Sequence, residues 1–121
     1  MRKYVTLLVA GLCGAVCVSP VRAASDTLTG EVISVSCFLQ NKANVGKTGF
    51  VCAVGDVKWE GNPPGLLTAD GKMYQLAGGL VANNNAKVAP HIGHTVTITG
   101  DVTQKDGLFI LTASDLKMVS K

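Results

Sequence analysis

The chain has 121 residues, of which 47% are hydrophobic and 16% charged, with 11 Lys+Arg against 8 Asp+Glu. That length holds one domain and leaves no room for a second of ordinary size. A formal charge of +3 with two arginines, Arg2 and Arg22, excludes the basic surface of a nucleic-acid binder and the arginine fork of a polyphosphate site.

Residues 1–23 read as a secretory signal. Arg2 and Lys3 make a basic start, an apolar run extends from Tyr4 to Val18, and Val21-Arg22-Ala23 fits a signal-peptidase site after Ala23. The run is shorter than the roughly 20 residues that cross a bilayer. A membrane anchor is one rival reading. A lipoprotein at Cys13 or Cys17 is another, but Leu12 and Val16 stand where a small residue is needed. Cleavage removes Arg2, Lys3 and Arg22, so the apparent basicity belongs to the leader; eight lysines and eight acids remain, a neutral domain over residues 24–121. Of the four cysteines only Cys37 and Cys52 stay. A secreted or periplasmic protein meets oxidising conditions, so these two are expected to pair. The bridge closes a loop of about 15 residues, worth roughly 3 kcal/mol in the chain-entropy account. Free thiols for redox or metal work are the alternative, without the Cys-x-x-Cys spacing such work favours.

Alternation is the main signal along the mature chain. Within Gly30–Cys37, Ile33, Val35 and Cys37 alternate with Ser34 and Ser36, the period of a half-buried strand. Residues 39–49 are polar and glycine-rich and read as loop, and 50–54 form a short apolar patch that the disulfide would pin to the first strand. After Asn62-Pro63-Pro64-Gly65, two short apolar runs flank Ala69-Asp70-Gly71, a tight hairpin. Residues 78–90 carry no β pattern. They predict a short helix near Asn84–Ala89, capped by an asparagine and stopped before Pro90. From Thr95 to Val102 threonines alternate with Val96, Ile98 and Val102. Gln104–Gly107 is a second hairpin turn, Leu108–Leu116 the last strand, and Lys117–Lys121 a polar tail.

Five strands with a helix between the third and fourth is the plan of the OB-fold, a five-stranded Greek-key barrel, here all-β with one short helix. Gly30 and Gly100 interrupt strand patterns where a small barrel must bend. A β-sandwich is the rival, but it wants about seven strands. The segments GEVISVSC, PPGLLTADGKMYQL and GHTVTITGDVTQKDGLFILTASDLKMV resemble small exported bacterial OB-fold-like proteins of unknown function. The resemblance covers nearly all of the mature chain and rests on turn glycines, inward aliphatics and strand rhythm. Many members of that group carry a further cysteine a few residues after the one matching Cys52; here Ala53–Asp56 has none.

Three sets of residues are candidates for function. His91-Ile92-Gly93-His94 spells a signature of class I aminoacyl-tRNA synthetases, where it opens a helix of a Rossmann-type domain. Here it follows Pro90 and feeds a threonine-rich strand, so the spelling is coincidental. His91 and His94 remain candidate metal ligands, with Asp56, Glu60 or Asp101 as a third, or else structural residues at a corner. The binding face usual for an OB-fold covers strands 2 and 3 and the loops between strands 1–2 and 4–5. That maps onto Gln40–Gly65 and Gln104–Gly107, with Met73 and Gln75 outward and Tyr74 and Leu76 inward. Trp59, in the longest loop, either stacks on a ligand or lids one end of the barrel. Catalysis has little support: Asp70 and Asp106 precede turn glycines, Asp115 lies near the end, and Ser34 and Ser36 have no evident partner. The expectation is a periplasmic or secreted binding module, not an enzyme. Its partner is a protein, a cell-envelope glycan or a small molecule; it binds no nucleic acid, uses no cofactor, and has no membrane span after cleavage. The alternatives are a metal-binding envelope protein using His91 and His94, and a purely structural accessory module.

Overall fold

In the computed structural model residues 24–120 are described; the expected signal over residues 1–23 lies outside them. Six strands form one sheet: β1 (Ala24–Ser34), β2 (Pro64–Thr68), β3 (Met73–Ala77), β4 (Thr95–Lys105), β5 (Leu108–Thr112) and β6 (Lys117–Ser120). The sheet runs β1-β2-β3-β5-β4, and β4 pairs back onto β1, so five strands close a barrel. Pairing is antiparallel except for β3 with β5. This is the OB-fold plan expected from the strand rhythm. Alternation does the sorting: Val96 and Ile98 turn inward and are fully buried, as are Leu66 on β2 and Leu111 on β5, while Thr97 and Thr99 face out.

β1 serves two neighbours. Its first part lies along β4 and its last part along β2, and Gly30 and Glu31 pair with both. At that crossing a Cβ on Gly30 would stand 2.5 Å from the Leu67 carbonyl oxygen, so the close approach requires glycine. The β2–β3 and β4–β5 hairpins form where Asp70-Gly71 and Asp106-Gly107 place them. Asp106 and Gly107 adopt φ of 53° and 80°, the two-residue turn that matches strand twist.

Four local expectations are corrected. β1 starts earlier and ends at Ser34; residues 35–40 form a helix, α1 (Val35–Gln40), not the end of a strand. The Ser34 hydroxyl accepts the Cys37 N–H and caps this helix, so the short serine alternation belonged to a cap. Residues 46–53, read as loop and apolar patch, form α2 (Gly46–Ala53), which runs on into a π-helical turn over Val54–Trp59. Helix propensity is poor there, and tertiary bonds supply the support, as described below. Between β3 and β4 the expected asparagine-capped helix is a chain of short turns. Asn83, Asn84 and Asn85 all have φ between 56° and 63°, a left-handed run that asparagine tolerates better than other non-glycine residues. Lastly, Lys117–Ser120 is β6, paired with the start of β4, where a polar tail was expected. Among the described residues no helix is long and apolar enough to cross a membrane.

Candidate binding surface

The long β1–β2 connection lies outside the strand pairing of the barrel, and four ties fix it in place. Cys37 on α1 and Cys52 on α2 form the expected disulfide, with Cα atoms 6.2 Å apart. The Glu31 carboxylate, from β1, accepts the N–H of Gly46 at the start of α2, where an anion suits the helix dipole. Val57 in the π turn is completely buried against the barrel core. Finally, Asn85 reaches from the β3–β4 crossover and donates to the carbonyls of Val57 and Asn62 at 3.0 and 2.9 Å.

Asp56 is the polar centre of this arrangement. Its Oδ2 accepts from Ser36 Oγ at 2.7 Å and from Ser34 Oγ, and its Oδ1 accepts from Asn62 Nδ2 at 2.6 Å. Burial pushes the Asp56 carboxyl up, but the donors from Ser34, Asn62 and Ser36 outweigh it and hold the group below its ordinary value. Ser34 and Ser36 thus have a partner that their spacing could not reveal, because it arrives from 20 residues downstream. The knot is structural. Asp56 is engaged by three neutral side-chain donors, and the buried Ser34 hydroxyl both donates to it and accepts the Cys37 N–H.

With Val57 and Asp56 turned inward, the opposite side of the same segment is apolar and faces solvent. Val51 is 82% exposed, Trp59 71% and Phe50 47%. Phe50, Val51, Val54 and Trp59 surround one shallow depression of about 300 Å³. Phe50 also borders a second, of about 410 Å³, with Lys47 and His94. The Lys58 ammonium rests 5.1 Å from the centre of the Trp59 ring. The result is an aromatic and aliphatic ridge with a lysine at each end. Trp59 is therefore not the lid of the barrel; Val57, two residues earlier, packs into the core instead.

Met73 and Gln75 face outward on β3 and are half-buried, while Tyr74 and Leu76 are buried, as the alternation predicts. Gln75 lines a separate depression of about 240 Å³ beside Pro63 and Asn85. It shares none of the ridge residues, so Trp59 and the outward β3 residues form two different surfaces. His91 and His94 sit at the corner leading into β4. Gly93 N–H donates to the Val32 carbonyl, Val32 N–H donates to the His94 carbonyl, and Ile92 is buried. This corner seals the barrel between β1 and β4. The two imidazoles meet edge to face with centroids 5.9 Å apart. Each has a buried Nδ1 without a hydrogen-bond partner. Asp56, offered as a third metal ligand, is committed to its serine and asparagine donors. Among the described residues no group of three or more His, Cys, Asp or Glu is placed to hold a metal ion.

Sequence reasoning missed Phe50 and Val51 as surface residues. Both lay in a short apolar patch expected to be pinned to the first strand by the disulfide, and the helix that turns them outward carries no clear sequence signal. Comparison with protein-family models, curated proteins and solved structures finds no match to this chain.

Proposed function

We propose that the protein is an exported, non-catalytic binding module whose contact surface is the Phe50–Val51–Trp59 ridge. One observation carries this reading. Large apolar side chains stand in solvent on a segment that a disulfide, a buried valine and a hydrogen-bonded aspartate hold rigid. Contiguous exposed apolar surface of this kind costs solubility and marks interaction sites. Rigidity lowers the ordering cost of contact, so the ridge is pre-organised for a partner. Export rests on the signal-like residues 1–23 and on a disulfide that an oxidising compartment would preserve.

A photoreactive amino acid at position 51, compared with one at Lys105 on the β4–β5 turn, tests the proposal in the native compartment. Adducts are expected from position 51 and not from position 105. Equal labelling at both, or none at 51, contradicts the reading.

A metal site at His91 and His94 is the second reading, favoured by the two unpartnered Nδ1 atoms. Zinc titration by calorimetry, wild type beside His91→Ala, decides it: saturable one-to-one binding lost in the variant supports it, and identical traces dismiss it.

A further inference from the structure

We infer that the ridge docks on the surface of an anionic lipid bilayer; this rests on the reading of the ridge as the contact surface and names what it contacts. Shape comes first. Phe50 stands between two shallow, open depressions, neither of which encloses a side chain of a partner. Protein hot spots cluster in well-packed pockets. A fluid acyl-chain boundary needs no pocket, only side chains that protrude, and Val51, Trp59 and Phe50 protrude. Tryptophan in particular favours the headgroup level, where its ring is half in hydrocarbon and its N–H meets water.

Charge is the second observation. The domain as a whole is neutral after loss of the leader, but its ridge is not evenly charged. Lys47 lines the Phe50 side and Lys58 covers Trp59. Of the two carboxylates between residues 46 and 60, Asp56 is turned inward onto Ser34, Ser36 and Asn62, and Glu60, exposed next to Trp59, accepts from Asn62 Nδ2 at 3.3 Å, so two lysines face one free-standing carboxylate along the ridge. Lysines flanking an apolar helical face can lay their stems along the hydrocarbon and keep their ammonium groups among phosphates. Leu66, Val96, Ile98 and Leu111 turn into the barrel and the threonines of β4 face out, so the apolar surface on offer is the ridge and the mode is surface docking.

Trp59 is the only tryptophan in the chain, so its emission reports the event directly. The oxidised protein is titrated with vesicles of phosphatidylcholine alone and with vesicles containing half phosphatidylglycerol. The expected result is a blue shift and co-sedimentation with the anionic vesicles only. Lys47→Gln and Lys58→Gln should each weaken binding about five-fold, and added salt should weaken it further. Val51→Asp should abolish binding, and because the side chain is exposed, circular dichroism should confirm an intact barrel. Emission unmoved by anionic vesicles overturns the inference. So does an equal shift with neutral vesicles, and so does an emission already blue without lipid that Val51→Asp reddens, which is the mark of a dimer through the ridge. If vesicles fail but position 51 still crosslinks to a protein, the ridge reading survives and only the bilayer is wrong. If both fail, the ridge reading falls with it.

Discussion

The barrel and the β1–β2 connection use the same kinds of residue in opposite ways. In the barrel Leu66, Val96, Ile98 and Leu111 alternate inward and vanish from solvent. In the connection Cys37, Ala53 and Val57 go inward, while Phe50, Val51 and Trp59 are held out. Burial of apolar area drives the first arrangement. The second opposes that drive, and the cross-links around it keep it from collapsing onto the barrel. Cys37–Cys52, Glu31 to Gly46, and Asp56 to Ser34, Ser36 and Asn62 are all polar or covalent ties. The difference teaches where to look for function: not at the threonine face or the hairpins, which alternation explains, but where apolar residues are displayed at a cost.

The largest test of that contrast is in the barrel. Leu111→Ala removes a fully buried side chain and should cost about 2–5 kcal/mol in urea unfolding. Next is the covalent tie. Replacing both Cys37 and Cys52 by Ser should cost about 3 kcal/mol. Hydrogen exchange should then quicken in residues 46–59 more than in β4; uniform quickening would mean that connection and barrel are one cooperative unit.

Asp56→Ala leaves the buried Ser34 hydroxyl without its acceptor and should cost about 1–3 kcal/mol. It should also change the pH dependence. The Asp56 carboxyl is held below its ordinary value in the folded protein, so its stabilisation is complete above the unfolded value of about 3.9. It is lost as pH falls from there through the folded value. Wild type should therefore lose melting temperature below about pH 4 more steeply than the variant; parallel acid limbs would show that Asp56 contributes nothing by its charge. The smallest effect is on the ridge. Trp59→Ala should stay within about 0.5 kcal/mol of wild type in the same unfolding assay. A loss as large as that of Leu111→Ala would erase the distinction between the two regions.

Much of the barrel was legible because period-two alternation and Asp-Gly turns are local signals. Tyr74 and Leu76 inward, Met73 and Gln75 outward, and both hairpins follow from them. The connection was not legible, for three physical reasons. Over five residues, Ile33-Ser34-Val35-Ser36-Cys37 fits a strand as well as a capped helix, and only Ser34 bonded to the Cys37 N–H separates the two. The sequence of α2, with Gly46 and Gly49, has weak helix propensity, and its start is completed by Glu31 from another element. The left-handed asparagine run at 83–85 is fixed by what Asn85 reaches, the carbonyls of Val57 and Asn62. The last two depend on partners distant in sequence, and the first on a local cap bond that the strand-like alternation masks. Trp59 was singled out as either a stacking residue or a lid and stands in solvent, while Phe50 and Val51 were read only as part of an apolar patch pinned to the first strand.

The most direct measurement is the rate of hydroxyl-radical oxidation of Trp59 in the native compartment against that in the purified protein. Met118, 46% exposed on β6 and lining neither of the two ridge depressions, serves as the internal reference. If the ridge is occupied there, Trp59 is protected several-fold while Met118 reacts at the same rate in both. If Trp59 and Met118 react in the same ratio in both settings, the ridge is bare where the protein works, and the account of it as a binding surface is wrong.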